Sequence, residues 1–553
     1  MAIATILTQE MIGRYTAAGF WGDRIWPDYI DKAADEDPAR TAIIDERGRL
    51  AYGDFRRIVN RTAVRLLQAG IGREERVALH LPNWREFIVM RFALARIGAI
   101  SVPVPIDWQA KEVQYVLAAT EAAALVIPAK FGSRDFVQEH RDMMSSLPAL
   151  RLRILAGADT PPAGWESLQS WMDDTADISE QEEKLYASQP GANDVDIIVS
   201  TSGSSAAPKL VVRTPNCFLA TTRQFVEHRG RLGRNDVIAG LAPITRGMGY
   251  YIGVASAVMA GSTMALLEKF SPEAALDWLA STGATVAVAV PTQIIKMLQV
   301  KEFGQYKFGS LRMIVNGGAA IPPGVAREAE ERFGCVILSA YGSVEGATPA
   351  CTAPEDPAEM RYTTVGRIMP GMELRAVDED GKVMPAGQAG EIVYRGPGLS
   401  LGFWRNPDAY RELLDENGWF RTGDLGVIDD QGFLRIVGRK KEIIIRGGIN
   451  ISPAEVEGLL HECPGVKQVA IVKMPDPVLG ERCCAYVVAD SGFELNVPVL
   501  ATFLGSRKVA KYKFPERVEV REQLPMTPDG GKVLRRALEE DILHILGQEA
   551  ARQ

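Results

Sequence analysis

The chain has 553 residues, of which 46% are hydrophobic and 24% charged, with a formal net charge of −8. That length exceeds the roughly 250–300 residues at which one hydrophobic core stops growing, so more than one domain is expected and no disulfide or metal staple is needed. The acidic balance lacks the basic stripe that neutralises phosphates in a nucleic-acid binder, which excludes nucleic acid as the main partner. Six cysteines, at 217, 335, 351, 463, 483 and 484, show no CxxC spacing and read as buried reduced thiols of a cytosolic protein. The first residues carry Glu10 and Arg14 where a secretory leader would stay apolar.

In chain order, strand-like runs alternate with amphipathic helical patterns. Residues 76–81 read as a strand followed by a helix over 86–97, and 123–127 as a strand followed by a polar helix. Residues 196–199 form another apolar run. The uncharged stretch 247–267 is long enough to span a membrane, but its glycines and serines and the preceding Pro243 favour a helix followed by a buried strand. Runs at 284–290 and 311–315 read as further buried strands. This alternation argues for α/β units with parallel sheets. From 364 to 437 the strands shorten, and Asp380-Gly381, Asn417-Gly418 and Asp430-Gln431-Gly432 supply turns, so an antiparallel β region is expected. Beyond the charged cluster at 438–442 a small α+β unit follows. It has a helix over 453–462, strands over 466–472 and 482–488, a helix over 497–505 and a last helix from Lys532.

The sharpest local feature is Ser200-Thr201-Ser202-Gly203-Ser204-Ser205-Ala206-Ala207-Pro208-Lys209. Small residues let backbone N–H groups approach a polyphosphate, hydroxyls add donors, and Lys209 adds charge. Neither the Walker pattern nor the dinucleotide fingerprint is present. The loop resembles the (S/T)SG(S/T)TGxPK motif of the adenylate-forming superfamily of acyl-CoA synthetases, adenylation domains and luciferases, with Ala206 where glycine is usual.

Further motifs follow in that superfamily's order. Asn316-Gly317-Gly318-Ala319 would pack its backbone on adenine. Tyr341-Gly342-Ser343-Val344-Glu345 resembles YGxTE. There the ring covers adenine, the hydroxyl at Ser343 contacts the α-phosphate, and Glu345 holds Mg2+. Arg421-Thr422-Gly423-Asp424 resembles (Y/R)TGD, whose aspartate accepts the ribose hydroxyls. Gly438-Arg439-Lys440-Lys441-Glu442 resembles GRxK(D/E), with Arg439 reaching the ribose and Lys441 acting as a hinge. Gly447 and Gly448 would border the coenzyme A tunnel. Pro525-Met526-Thr527-Pro528-Asp529-Gly530-Gly531-Lys532 resembles PxTxxGK and makes Lys532 the adenylation lysine.

The resemblance implies an α/β fold. A large N-terminal domain, 1–439, comprises two αβ-layered subdomains of parallel type and a small β-barrel-like subdomain. A small mobile α+β C-terminal domain, 440–553, carries the catalytic lysine. It also implies ATP-dependent activation of a carboxylic acid to an acyl-adenylate and transfer to coenzyme A. A stand-alone enzyme that loads the phosphopantetheine of an acyl or aryl carrier protein is the alternative. The catalytic set is Lys532, Glu345 and Lys209. The nucleotide set is Thr201, Ser202, Gly203, Ser204, Ser205, Gly317, Gly318, Ala319, Tyr341, Gly342, Ser343, Asp424 and Arg439. The expected partners are a small-molecule carboxylic acid, ATP with Mg2+, and CoA, with no membrane; self-association as a homodimer is left open.

For the acid, Arg14-Tyr15-Thr16-Ala17-Ala18-Gly19-Phe20-Trp21 and Pro208–Asn216 resemble aryl-acid ligases. Those ligases carry His-Asn where this chain has Arg246-Gly247, which argues against catechol-type acids. Arg246, Gly247, Met248 and Ala340 are the expected acid pocket, with apolar walls suited to an aromatic or alicyclic ring. Arg246 could anchor the carboxylate, bind a second anionic group, or pair with a nearby Asp or Glu.

Overall fold

The computed structural model describes residues 5–201, 208–447, 449–527 and 532–551, with the side chains at 347, 450, 550 and 551 excepted. Among these residues the largest sheet has nine strands. Its parallel centre runs through Val336–Ser343, Met313–Gly317, Val286–Ala289, Val237–Gly240, Thr263–Leu266 and Thr41–Asp45. Antiparallel strands lie at both edges. A second sheet has seven strands, parallel except for the edge strand Leu210–Arg213. The central strands are buried along their whole length, as expected where helices cover both faces. The alternation read from the sequence is therefore an α/β architecture, and the expected strands are present with small shifts at their ends.

The two sheets are tied by buried polar contacts. Asn83 donates its amide to the carbonyls of Ala242 and Leu267 at 3.3 and 3.1 Å. Arg91 donates to the Tyr250 hydroxyl at 2.7 Å and to Asp196 at 2.6 Å. Around these ties one continuous apolar cluster runs from Trp26 to Leu434 and packs the sheets together.

The stretch 247–267 is a helix followed by the buried strand Thr263–Leu266, but its first turns, Gly249–Ala255, are π-helical. A Cβ at Gly249 would overlap the Pro243 carbonyl, so only glycine fits at that point of the helix. No helix among the described residues is long and apolar enough to cross a membrane.

The region 364–437 contains the four-stranded antiparallel sheet Glu373–Val377, Ala389–Arg395, Phe420–Ile428 and Leu434–Arg439. A short 3-10 turn, Lys440–Glu442, leads out of its last strand. The five-stranded sheet that follows joins Val466–Asp476 and Gly480–Ala489 with the hairpin Ile444–Arg446 and Ile449–Ile451 and the strand Arg517–Val520. The last helix starts at Arg535, not at Lys532. Lys532 is drawn back toward Thr527, which donates its N–H to the Lys532 carbonyl at 2.7 Å, and Met526 bridges Val533. That pairing takes the backbone groups a first helical turn would need.

Candidate active site

The motif loops sit at the carboxyl ends of parallel strands, where open α/β sheets bind ligands. Met313–Gly317 ends in the glycine run at 317–318, Val336–Ser343 ends in the YGSVE turn, and Ile197–Ser200 leads into the serine-rich loop. Thr201 and Lys209 close the neck of that loop. The Thr201 N–H donates to the Lys209 carbonyl at 2.9 Å, and the Lys209 N–H to the Thr201 hydroxyl at 3.2 Å. Ser202, Gly203, Ser204 and Ser205 lie outside the described residues, as does Gly448. The exposed Lys209 ammonium stands 5.0 Å above the Phe403 ring.

Three separated motifs meet on one carboxylate. Asp424, only 9% exposed, accepts from Arg439 Nε at 2.8 Å and from the Tyr341 hydroxyl at 2.7 Å. Its own N–H donates to Thr422 Oγ1 at 3.0 Å. Strand pairing supports this corner, because Asp424 lies directly opposite Arg439 in the antiparallel sheet. Burial, reinforced by the Asp424 carboxylate, lifts the Tyr341 phenol far above the usual tyrosine range, so it stays a donor.

The YGSVE turn is held from below by Arg213, which is fully buried. Its guanidinium donates to the carbonyls of Val344 at 2.8 Å, Glu345 at 3.5 Å and Gly398. It lies 5.3 and 5.4 Å from the ring centroids of Phe218 and Tyr251. Among the described residues no carboxylate pairs with it. Ser400 donates its N–H to the Glu345 carbonyl at 2.6 Å. The Glu345 backbone is thus engaged on two sides, while its half-buried carboxylate makes no hydrogen bond or ion pair among the described residues.

Met248, Gly317 and Ala340 converge. A Cβ on Gly317 would come within 2.7 Å of both the Ala340 carbonyl oxygen and Met248 Sδ. Gly247 faces the Tyr251 ring, which stacks on Phe218 with centroids 4.3 Å apart. Gly318, at φ 83°, turns the chain outward, so that Gly318 and Ala319 form an exposed ledge after buried Gly317. Arg246 donates to both oxygens of Asp107, at 3.1 and 2.9 Å. Of the three readings of Arg246, the ion pair is therefore present. The loop carrying Asp107 is braced by Arg134, which donates to the carbonyls of Ile106 and Trp108 at 2.6 and 3.0 Å.

At the far end of the chain, Lys532 is exposed and its N–H donates to Thr527 Oγ1 at 3.0 Å. Lys441 is exposed in the 3-10 turn. Its neighbours are tied in opposite directions, Lys440 to Glu391 at 3.6 Å and Glu442 to Arg535 at 3.2 Å. Gly447, at φ 56°, turns the hairpin and donates to the Leu479 carbonyl at 2.7 Å.

Sequence reasoning assigned no role to Arg213, Asp107 or Tyr394. Arg213 stands in the run 208–216 that resembles aryl-acid ligases, a signal that something was held there. Asp107 and Tyr394 act through partners 139 and 51 residues away, and no local pattern marks them.

Comparison with known proteins agrees with this geometry. Residues 30–404 match the model of the AMP-binding enzyme family, and residues 455–530 match the AMP-binding enzyme C-terminal domain. The chain is 32% identical to the medium-chain fatty-acid–CoA ligase of Escherichia coli K12, over all of this chain and 96% of the relative. It is 31% identical to the 2-hydroxy-7-methoxy-5-methyl-1-naphthoate–CoA ligase of Streptomyces carzinostaticus, over 96% and 95% of the two chains. Its fold is that of an anthranilate CoA ligase solved with anthranoyl-AMP, with a TM-score of 0.85 at 22% identity over 96% and 98% of the chains.

Proposed function

The chain belongs to the AMP-binding enzyme family, and on that premise we propose that it activates an aromatic or alicyclic carboxylic acid with ATP, releases pyrophosphate, and passes the acyl group from AMP to coenzyme A. The observation that carries this reading is the meeting of Tyr341, Asp424 and Arg439 on one nearly buried carboxylate. Three motifs far apart in sequence supply one acceptor suited to the ribose hydroxyls.

A carboxylate is a poor electrophile, and both it and ATP are anions. Attack of a carboxyl oxygen on the α-phosphorus needs donors and cations that offset the accumulating negative charge. Lys209 and the serine-rich loop bind the leaving phosphates. Ser343 donates to the α-phosphate, and Asp424 with Arg439 fixes the ribose. Lys532 bridges carboxylate and phosphate oxygens during adenylation.

Mg2+ fits Glu345, whose carboxylate is otherwise unengaged among the described residues, since this ion takes one or two carboxylates and fills its shell with phosphate oxygens and water. No group of three or more metal-ligating side chains occurs among those residues, so a fully caged metal is not part of the reading. Bound there, the ion would neutralise polyphosphate charge.

For the second half-reaction, the boundary lies at 439/440 and the C-terminal unit turns about Lys441. Gly447 and Gly448 then replace Lys532 at the site. The converging Met248, Gly317 and Ala340 form one wall of the acid pocket, and Arg246, tied to Asp107, frames its polar end. Six buried unpaired cysteines suit a reducing cytosol. Pyrophosphate release across a library of carboxylic acids, with CoA, with a carrier protein, or with neither, tests the proposal. Acid-dependent release with acyl-CoA as product supports it. Thioester formed only on the carrier protein replaces CoA as acceptor, and no acid-dependent release overturns the proposal.

A further inference from the structure

Ser343 ends its strand with a hydroxyl that two protein groups surround. The Gly346 N–H donates to Ser343 Oγ at 3.1 Å, and the Tyr394 hydroxyl lies 3.2 Å from the same oxygen. A serine hydroxyl has two acceptor positions and one proton. We infer that Tyr394 is a positioning residue, which donates its phenol proton to Ser343 Oγ and so directs the serine proton outward, toward an anionic ligand oxygen.

The direction of the bond follows from burial. Tyr394 is 1% exposed, and among the described residues Ser343 Oγ is the one hydrogen-bond partner of its hydroxyl. If serine donated instead, the buried phenol proton would have no acceptor among the described residues, a costly arrangement. With the phenol donating, Gly346 and Tyr394 fill both acceptor positions of Ser343, and its proton has no acceptor among the described residues. Burial also holds the Tyr394 phenol well above the ordinary tyrosine range, so it keeps its proton.

The surroundings are built for this contact. Tyr394 lies in the strand Ala389–Arg395, with its ring 5.4 Å from that of Phe420. A Cβ on Gly346 would overlap the Tyr394 hydroxyl, so glycine there is what admits the phenol. Serine needs such a restraint. Threonine's branched Cβ narrows its own rotamers, whereas serine reaches three staggered wells, and an external bond must choose among them.

The inference rests on the reading that Ser343 faces the α-phosphate, and the test separates the two. ATP–pyrophosphate exchange is measured for the wild type, Tyr394→Phe, Ser343→Ala and the double variant, with kcat and KM for ATP and acid. Ser343→Ala should lower kcat roughly 10- to 100-fold, the loss of one hydrogen bond to a charged group. Tyr394→Phe should lower it roughly 3- to 10-fold and leave KM for the acid unchanged. The double variant should match Ser343→Ala, because the phenol acts only through the serine. Independent, multiplying losses would overturn the inference, as would a fully active Tyr394→Phe. Unchanged exchange in Ser343→Ala would sink the phosphate reading and the inference with it. If Tyr394→Phe does not fold, 3-fluorotyrosine at 394 keeps the shape and is a stronger donor. Exchange should then be retained or raised, and a drop would count against the inference.

Discussion

Asp424→Asn removes the charge at the ribose corner while keeping its shape. A carboxylate offers about four acceptor positions. Arg439 and Tyr341 take one on each oxygen, which leaves two that the proposed function assigns to the ribose 2′- and 3′-hydroxyls. Asparagine keeps acceptors on one oxygen only. With that oxygen held by Arg439, at most one position remains for the nucleotide, and the amide presents a donor in place of the other. The loss is at least one charge-assisted hydrogen bond, about 1.5–3 kcal/mol, or roughly tenfold to hundredfold in KM for ATP. The Arg439 side chain is 59% exposed, so its ion pair with Asp424 adds little to stability, and the folded state should survive. The assay is ATP–pyrophosphate exchange with ATP and 2′-deoxy-ATP on both proteins. The wild type should disfavour the deoxy nucleotide, and the variant should discriminate far less. Equal discrimination by both would refute the role given to Asp424.

Gly317→Ala places a methyl against the Ala340 carbonyl and Met248 Sδ. The register Gly317↔Ala340 fixes the backbone, so Met248 must yield. Overpacking of about 1–3 kcal/mol should lower the melting temperature and shift preference toward smaller acids, while an unaltered acid profile would remove Gly317 from the pocket. Lys532→Ala should abolish pyrophosphate exchange yet still convert supplied acyl-AMP and thiol to thioester; equal loss in both half-reactions would contradict the division of roles. Stability should fall in mild acid. Burial pushes His80 down to about 3 and also lowers His140, whose ring lies 5.2 Å from that of His80. Both histidines bind fewer protons folded than unfolded, so stability rises with pH across this window. It is lost as pH falls below the unfolded value near 6.5, by up to about 1.4 kcal/mol per pH unit for each histidine. Urea midpoints between pH 5 and 6.5 should vary less in a His80→Asn/His140→Asn variant, and an unchanged slope would rule out the pair as the cause.

The parts of this molecule written in local pattern were legible. Apolar runs at 76–81, 123–127 and 284–290 are strands because each is buried on both faces, which leaves no polar alternation to misread. The motifs stand out because glycines and small hydroxyl residues at close spacing mark the turns that follow strands. Contacts set by the tertiary fold were not legible. The need for glycine at 249 depends on a carbonyl six residues back, pressed too close for any side chain. For Arg246 the sequence leaves an anion anchor and an ion pair both open, because Asp107, its partner, stands on a loop of the other sheet. The run from Lys532 reads as the start of a helix, but Thr527 pairs with the Lys532 backbone first and the helix begins at Arg535. Arg213 could not be placed at all, since its partners are backbone carbonyls that any sequence supplies.

The central claim is that a carboxyl oxygen of the acid attacks the α-phosphorus of ATP. The direct measurement uses an acid found active in pyrophosphate exchange and labelled with oxygen-18 in both carboxyl positions. After a full turnover to thioester, one labelled oxygen should appear in AMP and none in pyrophosphate. AMP free of label, or label in pyrophosphate or inorganic phosphate, would contradict the account.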